Sequence, residues 1–471
     1  MSNFFKYLLI TFIIIQIFSS CEKEEFNTSI DASLVFSNDT ILFDTIFTTI
    51  GSATQRFTVK NPYNKDLKIS SIFLAGGSSS PFRLNIDGYP GTRLDNIELR
   101  EKDSLYIFVE ITVDPNNSDL PLVVKDSIIF SFNNKQQDVD LIAWGQDVNL
   151  INGEIIGTQL WNSSKPYLIY NSMLIDTNSI LTIEAGTMLH FHKNSRLYVA
   201  GTIIANGTYE SPIKFQGDRL ENDYEDIPGQ WDGIWLMAGS KDNILNFCEI
   251  KNAIIGIRVD TLANLSKPTL LLSNSRVENM TSTGIYAQGS TIEAFNNLIS
   301  NCGQFAIALT IGGSYEFYHC TIGNFWGFST RTTPSVLLNN YYFDIYNNIQ
   351  IRPIEKALFG NCIIYGNKES EIVIDKFDSN SELNYKFDHC LIRVDKDFST
   401  SDPNSFESII VNIDPKFKDP YEGDFELDTL SIAKDSGKDE YGILFPFDLN
   451  MQNRIIDSHP DLGAFERIEN Q

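Results

Sequence analysis

The sequence predicts an all-β chain built from two regions of different strand grammar, a β-sandwich followed by a solenoid of stacked coils. Three observations carry this. No long segment shows the apolar 3.6-residue period of an amphipathic helix. Asn, Ser, Thr, Ile and Phe are abundant, which suits strands and turns. In the second half a triplet recurs as a column: Cys248-Glu249-Ile250, Ser275-Arg276-Val277, Asn297-Leu298-Ile299, Cys320-Thr321-Ile322, Cys362-Ile363-Ile364 and Cys390-Leu391-Ile392. The first four are 27, 22 and 23 residues apart, one solenoid coil each. The next step, of 42 residues, fits one coil plus an excursion from Arg331 to Arg352.

The chain opens with a single charge, Lys6, and an apolar run from Leu8 to Ile15. That run is shorter than the roughly 20 apolar residues that span a bilayer and has the length of a signal-peptide core. Small residues, Ser19-Ser20, stand directly before Cys21. The arrangement resembles the lipobox of bacterial lipoproteins, which implies a signal peptide over 1–20, cleavage before Cys21 and a lipid anchor on its thiol. The acidic linker over 21–26, Glu22-Lys23-Glu24-Glu25, resembles the tag that directs Bacteroidetes lipoproteins to the outer face of the outer membrane. A plain solvated linker is the alternative.

From 27 to 148 short alternating runs are broken by turn residues: Gln55-Arg56-Phe57-Thr58-Val59, Leu67-Lys68-Ile69, Ser104 to Val109 and Ser127 to Phe132. Such spacing predicts a β-sandwich. Asn61-Pro62, Lys102-Asp103-Ser104, Asp114-Pro115 and the closing Leu141-Ile142-Ala143-Trp144-Gly145 resemble Hydin-type immunoglobulin-like modules. That likeness implies a spacer or an interaction platform.

From 149 to 400 the order Leu181-Thr182-Ile183, Val199-Ala200-Gly201-Thr202, Ala205-Asn206-Gly207-Thr208, Pro212-Ile213-Lys214-Phe215 and Trp231-Asp232-Gly233-Ile234 resembles right-handed parallel β-helix repeat proteins. Residues two apart on a strand point the same way, so the first and third members of each triplet face the bore. Coils stack about 4.8 Å apart, which makes Cys320, Cys362 and Cys390 neighbours in one interior file. They are read as reduced space-fillers, because a buried cysteine behaves as a small hydrophobe. Apart from Cys21 the chain has five cysteines, an odd number with no CxxC pair, so neither a full disulfide framework nor a zinc site is indicated. The stretch from 401 to 471, with Asp414-Pro415-Lys416-Phe417 and Asp461-Leu462-Gly463-Ala464-Phe465, resembles the closing segment of such proteins and is expected to cap the last coil. The fold class is thus all-β, an immunoglobulin-like sandwich followed by a right-handed parallel β-helix with a C-terminal cap.

The formal net charge of −25 argues against nucleic acid and anionic headgroups as partners. The acidic excursion Asp218, Glu221, Asp223, Glu225 and Asp226 offers five carboxylates within nine residues. It is the best candidate for a metal, calcium, although the glycine of an EF-hand loop is missing and a solvated charge run is the alternative. No other cofactor is indicated. Tyr224 and Trp231 beside it are candidates for stacking on a sugar ring. The excursion Arg331 to Arg352 carries Arg331, Tyr341, Tyr342, Tyr346 and Arg352, a combination suited to carbohydrate recognition or to packing on the coil flank. His190 and His192 share a strand face with no third ligand in view, and are expected to be exposed. His319 and His389, each before a ladder cysteine, are expected on the outer face about 9–10 Å apart, two coils, too far to share a metal.

No catalytic constellation stands out. The expectation is an outer-membrane, surface-facing lipoprotein, anchored in lipid through Cys21, whose β-helix binds a ligand, a polysaccharide or a surface protein. The alternative is a glycan-active enzyme, a polysaccharide lyase or glycoside hydrolase. The two differ in one feature: catalysis requires carboxylates, or a carboxylate with Lys or Arg, converging in a groove on one flank.

Overall fold

The computed structural model describes residues 26–48, 51–114, 122–260, 267–456 and 458–468. Cys21, the signal segment, the acidic tag and Pro115 lie outside the described residues. The chain divides after Asp147 into two compact units.

In the first unit, alternation of apolar and polar residues builds two five-stranded sheets among the described residues. One runs Val35–Phe36, Gln55–Lys60, Ser104–Ile111, Phe82–Ile86 and Tyr89–Gly91. The other runs Thr40–Phe47, Lys135–Gln146, Leu122–Phe132, Leu67–Leu74 and Arg93–Leu99. Pairing is antiparallel except between Thr40–Phe47 and Lys135–Gln146. The inward residues of both sheets, among them Phe57, Val59, Ile107, Ile69 and Phe130, form one core. Asn61 is buried and its side-chain amide donates to the carbonyls of Lys65, Leu99 and Arg100. This explains an asparagine at the end of its strand.

The second unit is a parallel β-helix. Each coil visits three faces in turn, followed here over the well-formed middle coils. Face one holds Thr202–Asn206, Asn243–Asn246, Leu270–Ser273, Thr291–Phe295 and Gly313–Tyr318. Face two holds Ile213–Gly217, Cys248–Lys251, Arg276–Met280, Leu298–Cys302 and Thr321–Asn324. Face three holds Arg196–Val199, Gly233–Leu236, Ile255–Asp260, Thr283–Gln288 and Ile307–Thr310.

The column read from the sequence is face two. Glu249 pairs with Arg276, Arg276 with Leu298, Leu298 with Thr321, Thr321 with Ile363 and Ile363 with Leu391. The first and third members of every triplet are buried. The five later cysteines are free and buried, and the thiols of Cys320, Cys362 and Cys390 donate to strand carbonyls at the corner. Burial pushes the Cys248 thiol well up, which keeps it protonated.

The residue before each triplet makes the corner between faces one and two. Phe247, Asn274, Asn296, His319, Asn361 and His389, together with Ser408 at the same corner of the following coil, all have φ between 48° and 54°. Asparagine tolerates this left-handed conformation better than most residues, and two of the corner asparagines bond along the file, Asn296 Nδ2 to Asn274 Oδ1 at 3.1 Å. Gly233 has φ 104°, and a Cβ there would run into the carbonyl of Ile255, so the glycine after Trp231-Asp232 is sterically required. On face one, Phe317, Phe359, Phe387 and Phe406 stack in the bore at 4.9–5.6 Å.

The closing segment departs from the expectation. The helix continues past residue 400, with Phe406–Glu407 and Ile410–Val411 still in the ladders. The segment after it runs along the outer side of face two as a strap. Phe425, Leu449, Ala464 and Phe465 cover Leu298, while Leu427, Ala433 and Leu462 cover Ile363 and Leu391. Phe445 stacks on Phe295 at 4.4 Å. The cause lies in the middle member of each triplet, which faces outward. It is charged at Glu249 and Arg276 and mostly apolar from Leu298 onward, so the later coils have an apolar outer surface to bury.

Candidate functional site

The strap covers Leu298, and its edge reaches Arg276 on the preceding coil, whose guanidinium lies 5.5 Å from the Phe465 ring. Beyond that edge the outer side of face two is open. A groove of about 530 Å³ lies there, lined by Lys251, Arg276, Glu278, Asn279 and Asn301 on the floor. Asp226 borders it from the acidic excursion, and Phe325, Phe328, Tyr421 and Glu422 from the far wall. A second hollow of about 370 Å³ continues upstream over Lys214, Gln216, Glu249 and Tyr224, with Lys251 shared between the two.

The charges on this floor converge rather than scatter. Lys251 Nζ lies 2.9 Å from Asp226, which also accepts from Asn279 Nδ2 at 3.1 Å. Lys214 pairs with Glu249 at 3.2 Å. Glu278 accepts from Ser300 Oγ at 3.0 Å. Burial raises the Glu278 carboxyl above its usual range, opposed by Arg276 and Lys251. Burial would lower Lys251, but Asp226, Glu278 and Glu225 outweigh it and hold the ammonium above its ordinary value. Lys251 is therefore a firmly protonated donor, a poor choice of proton-abstracting base. Phe325 meets Tyr421 edge-on at 5.3 Å, and Tyr421 and Phe328 are exposed. The floor thus offers donors and acceptors for hydroxyl groups, and the far wall offers open rings.

Three of the five carboxylates of the excursion go to separate partners. Asp218 accepts from His192 Nδ1 at 2.7 Å, Glu221 from Arg219, and Asp226 from Lys251 and Asn279. Asp223 and Glu225 are exposed. Among the described residues no three His, Cys, Asp or Glu side chains are placed to hold a metal. Tyr224 lies under the Arg219 guanidinium, 3.7 Å from its ring centroid. Trp231 is not available to a ligand: it is fully buried, stacks on Phe191 at 4.2 Å and donates from Nε1 to the Lys251 carbonyl. The excursion before it loops out and returns this indole to the bore.

Arg331 likewise leaves the list of binding residues. Its guanidinium forks onto Glu371 at 2.7 and 2.8 Å, with side-chain exposures of 1% and 0%. Glu371 also accepts from the Ser335 hydroxyl and the Lys368 backbone amide. The rest of that excursion is a hairpin, Tyr341–Phe343 against Ile349–Ile351. Tyr341 is partly buried against Phe377 and donates to Asp375 at 3.2 Å. Tyr342, Tyr346 and Arg352 remain exposed at the surface.

The histidines correct a simpler expectation. His190 is buried, and Nδ1 donates to the Gly217 carbonyl at 3.2 Å. His192 is half-exposed and stacks on Tyr170 at 4.0 Å. His319 is buried beneath the strap, where Nε2 accepts from Asn361, while His389 pairs with Asp388. Burial depresses His190 to about 4, against about 6.5 when unfolded. The unfolded state therefore takes up a proton before the folded one does. Stability contributed by neutral His190 is complete above pH ~6.5 and falls by about 3 kcal/mol as pH drops to ~4. Urea midpoints measured across that window should show a clearly shallower acid loss for His190→Gln than for the parent. His319, also held well below its usual value by burial, leaves a residual slope.

The floor residues Lys251, Arg276, Glu278 and Asn279 escape a motif search. For Arg276 the available signal was the outward middle position of its triplet, charged there and at Glu249 and mostly apolar from Leu298 onward. The other three follow their triplets on the same strands.

The family model for the right-handed beta helix region matches residues 264–398. No curated protein matches the chain. Among solved structures it is similar to a family 123 glycoside hydrolase from Clostridium perfringens, with 10% identity, TM-score 0.18, and 26% of each chain covered. It is similar also to a PapD-like domain of human CEP192, with 10% identity, TM-score 0.18, and 27% of this chain and 91% of that one covered. A Porphyromonas gingivalis protein shows 15% identity, TM-score 0.17, and coverage of 27% and 60%. The match spans about a quarter of the hydrolase's own length.

Proposed function

We propose that this chain is a lipid-anchored surface protein that binds a glycan in the groove on face two. The observation that supports this most is the composition of that groove. Lys251, Arg276, Glu278 and Asn279 present fixed polar groups on a strand floor, and Phe325, Phe328 and Tyr421 stand at its edge. Sugar recognition draws on this combination of rigid polar groups and open rings, and a site built on strands loses little entropy on binding. The sandwich, with its likeness to Hydin-type modules, serves as the spacer or platform.

A second reading, a glycan-cleaving enzyme, is favoured by one feature: a carboxyl with raised pKa, Glu278, close to two cations. It would suit a general acid better than a lyase base. Screening the soluble chain on a polysaccharide panel, for retention and for released ends, separates the two. Binding without cleavage is expected. Cleavage abolished by Glu278→Gln would establish the second reading instead.

The anchor is proposed on the sequence pattern before Cys21. Cys21→Ser should abolish incorporation of labelled fatty acid and leave the protein out of the outer-membrane fraction. Unchanged labelling of that variant would remove the lipoprotein assignment. Surface display follows from the acidic tag, and protease treatment of intact cells tests it.

A further inference from the structure

Face three carries a feature independent of the groove. Its outward positions stack Tyr198, Trp235, Arg258 and Tyr286 in consecutive register, one per coil. Tyr198 and Trp235 lie 5.5 Å apart, and the Arg258 guanidinium sits 4.2 Å from the Trp235 ring and 5.8 Å from Tyr286. Arg196 flanks the first two rings at 5.6 Å. All four members of the file are partly exposed.

The polar neighbours hold these groups in place. Asp260 accepts from Trp235 Nε1 at 2.8 Å and from Arg258 Nε at 3.0 Å, and Arg258 also reaches Gln288 at 3.2 Å. Arg196 pairs with Asp232 at 3.2 Å. Each arginine therefore already has its carboxylate, so the strip offers no net charge in a chain of formal charge −25. Past these coils the same file turns aliphatic, through Ala308, Leu337 and Val373. The aromatic run is thus confined to four coils and is not a general need of this face.

We propose that this strip is a second carbohydrate site, a platform for an uncharged polysaccharide lying along the solenoid axis. Three properties select that occupant. Aromatic and guanidinium planes contact the apolar faces of sugar rings. The balanced ion pairs favour a neutral polymer over an anionic one, which the acidic chain would repel. A coil spacing of about 4.8 Å is close to the length of one hexose, so successive residues of a chain meet an equivalent platform coil after coil. Strand backbones and ion pairs pre-organise the strip and limit the entropy lost on binding.

The test is electrophoretic retardation of the full chain in gels containing soluble neutral polysaccharides, glucans and mannans among them, and polygalacturonate as the acidic comparison. Retardation by a neutral polymer is expected, with apparent affinity reduced about tenfold or more in Trp235→Ala and kept in the groove variant Arg276→Ala. Tyr286→Ala, at the other end of the file, provides a second variant should Trp235→Ala unfold. The proposal is overturned if no neutral polymer retards the parent, if folded Trp235→Ala and Tyr286→Ala are retarded like it, or if Arg276→Ala alone abolishes retardation. The last result would return neutral-glycan binding to the groove. Failure on face three with intact binding in the groove would leave the proposed function standing.

Discussion

Replacing Glu371 by alanine is expected to destabilise the second unit by about 3–5 kcal/mol, the usual cost of stripping one partner from a buried ion pair. Arg331 would be left with its charge out of water, since both side chains are essentially inaccessible and Glu371 accepts both arms of the fork. The pair ties the loop before Val336–Asn339 to the next coil, so the loss should appear first as proteolysis near Arg331. The double substitution Arg331→Met, Glu371→Met should recover much of it, because an apolar pair leaves no orphaned charge. Denaturant midpoints for the parent and the two variants check this. Equal destabilisation of single and double variants would show that the salt bridge itself, and not the orphaned charge, carries the effect.

The second large effect concerns the strap. Phe425 is buried over Gly323, between Phe325 and Phe417. Phe425→Ala removes a buried ring and should cost about 3–5 kcal/mol. Gly323→Val attacks the same contact from the other side, since even a Cβ at Gly323 would run into the Phe425 ring. Both should release the strap before the coils unfold, exposing Leu298, Ile363 and Leu391. Limited proteolysis is expected to cut within 412–468 while far-ultraviolet circular dichroism stays close to the parent's. Tyr421 and Glu422 belong to the same segment and form the far wall of the groove. Glycan binding should therefore weaken in both variants, although neither residue lies in the groove.

Much of the architecture was legible because a solenoid writes its period into the chain. The six triplets place face two correctly, and the in-register cysteines follow from residue spacing alone. What spacing does not report is which outward surfaces a distant segment will cover. His319 looks exposed on its coil and is buried only because residues more than a hundred positions later dock over it. Arg331 looks like a binding residue until Glu371, forty residues on, turns out to lie in the adjacent coil. Trp231 follows five acidic residues and reads as part of a surface loop, but its loop turns back into the bore. The groove floor was hidden for a related reason. Attention to the inward members of Cys248-Glu249-Ile250 and Ser275-Arg276-Val277 passes over the outward ones. The change from Glu249 and Arg276 to Leu298, Ile363 and Leu391 was nonetheless in the sequence, and marks both where the strap begins and where the open surface ends.

That this protein meets a glycan on the open outer side of face two is checked by titration calorimetry. The titrant is a polysaccharide whose retention on the panel is the same for Trp235→Ala as for the parent, so that face three does not contribute. The samples are the parent chain and the double variant Arg276→Ala, Glu278→Gln. Both side chains are half-buried on the outer strand face, and the glutamine keeps the glutamate's shape and its acceptor for Ser300. The variant should unfold at the parent's denaturant midpoint, while its binding heat falls below detection. Undiminished affinity in a folded double variant would contradict the account and move the binding site elsewhere on the molecule.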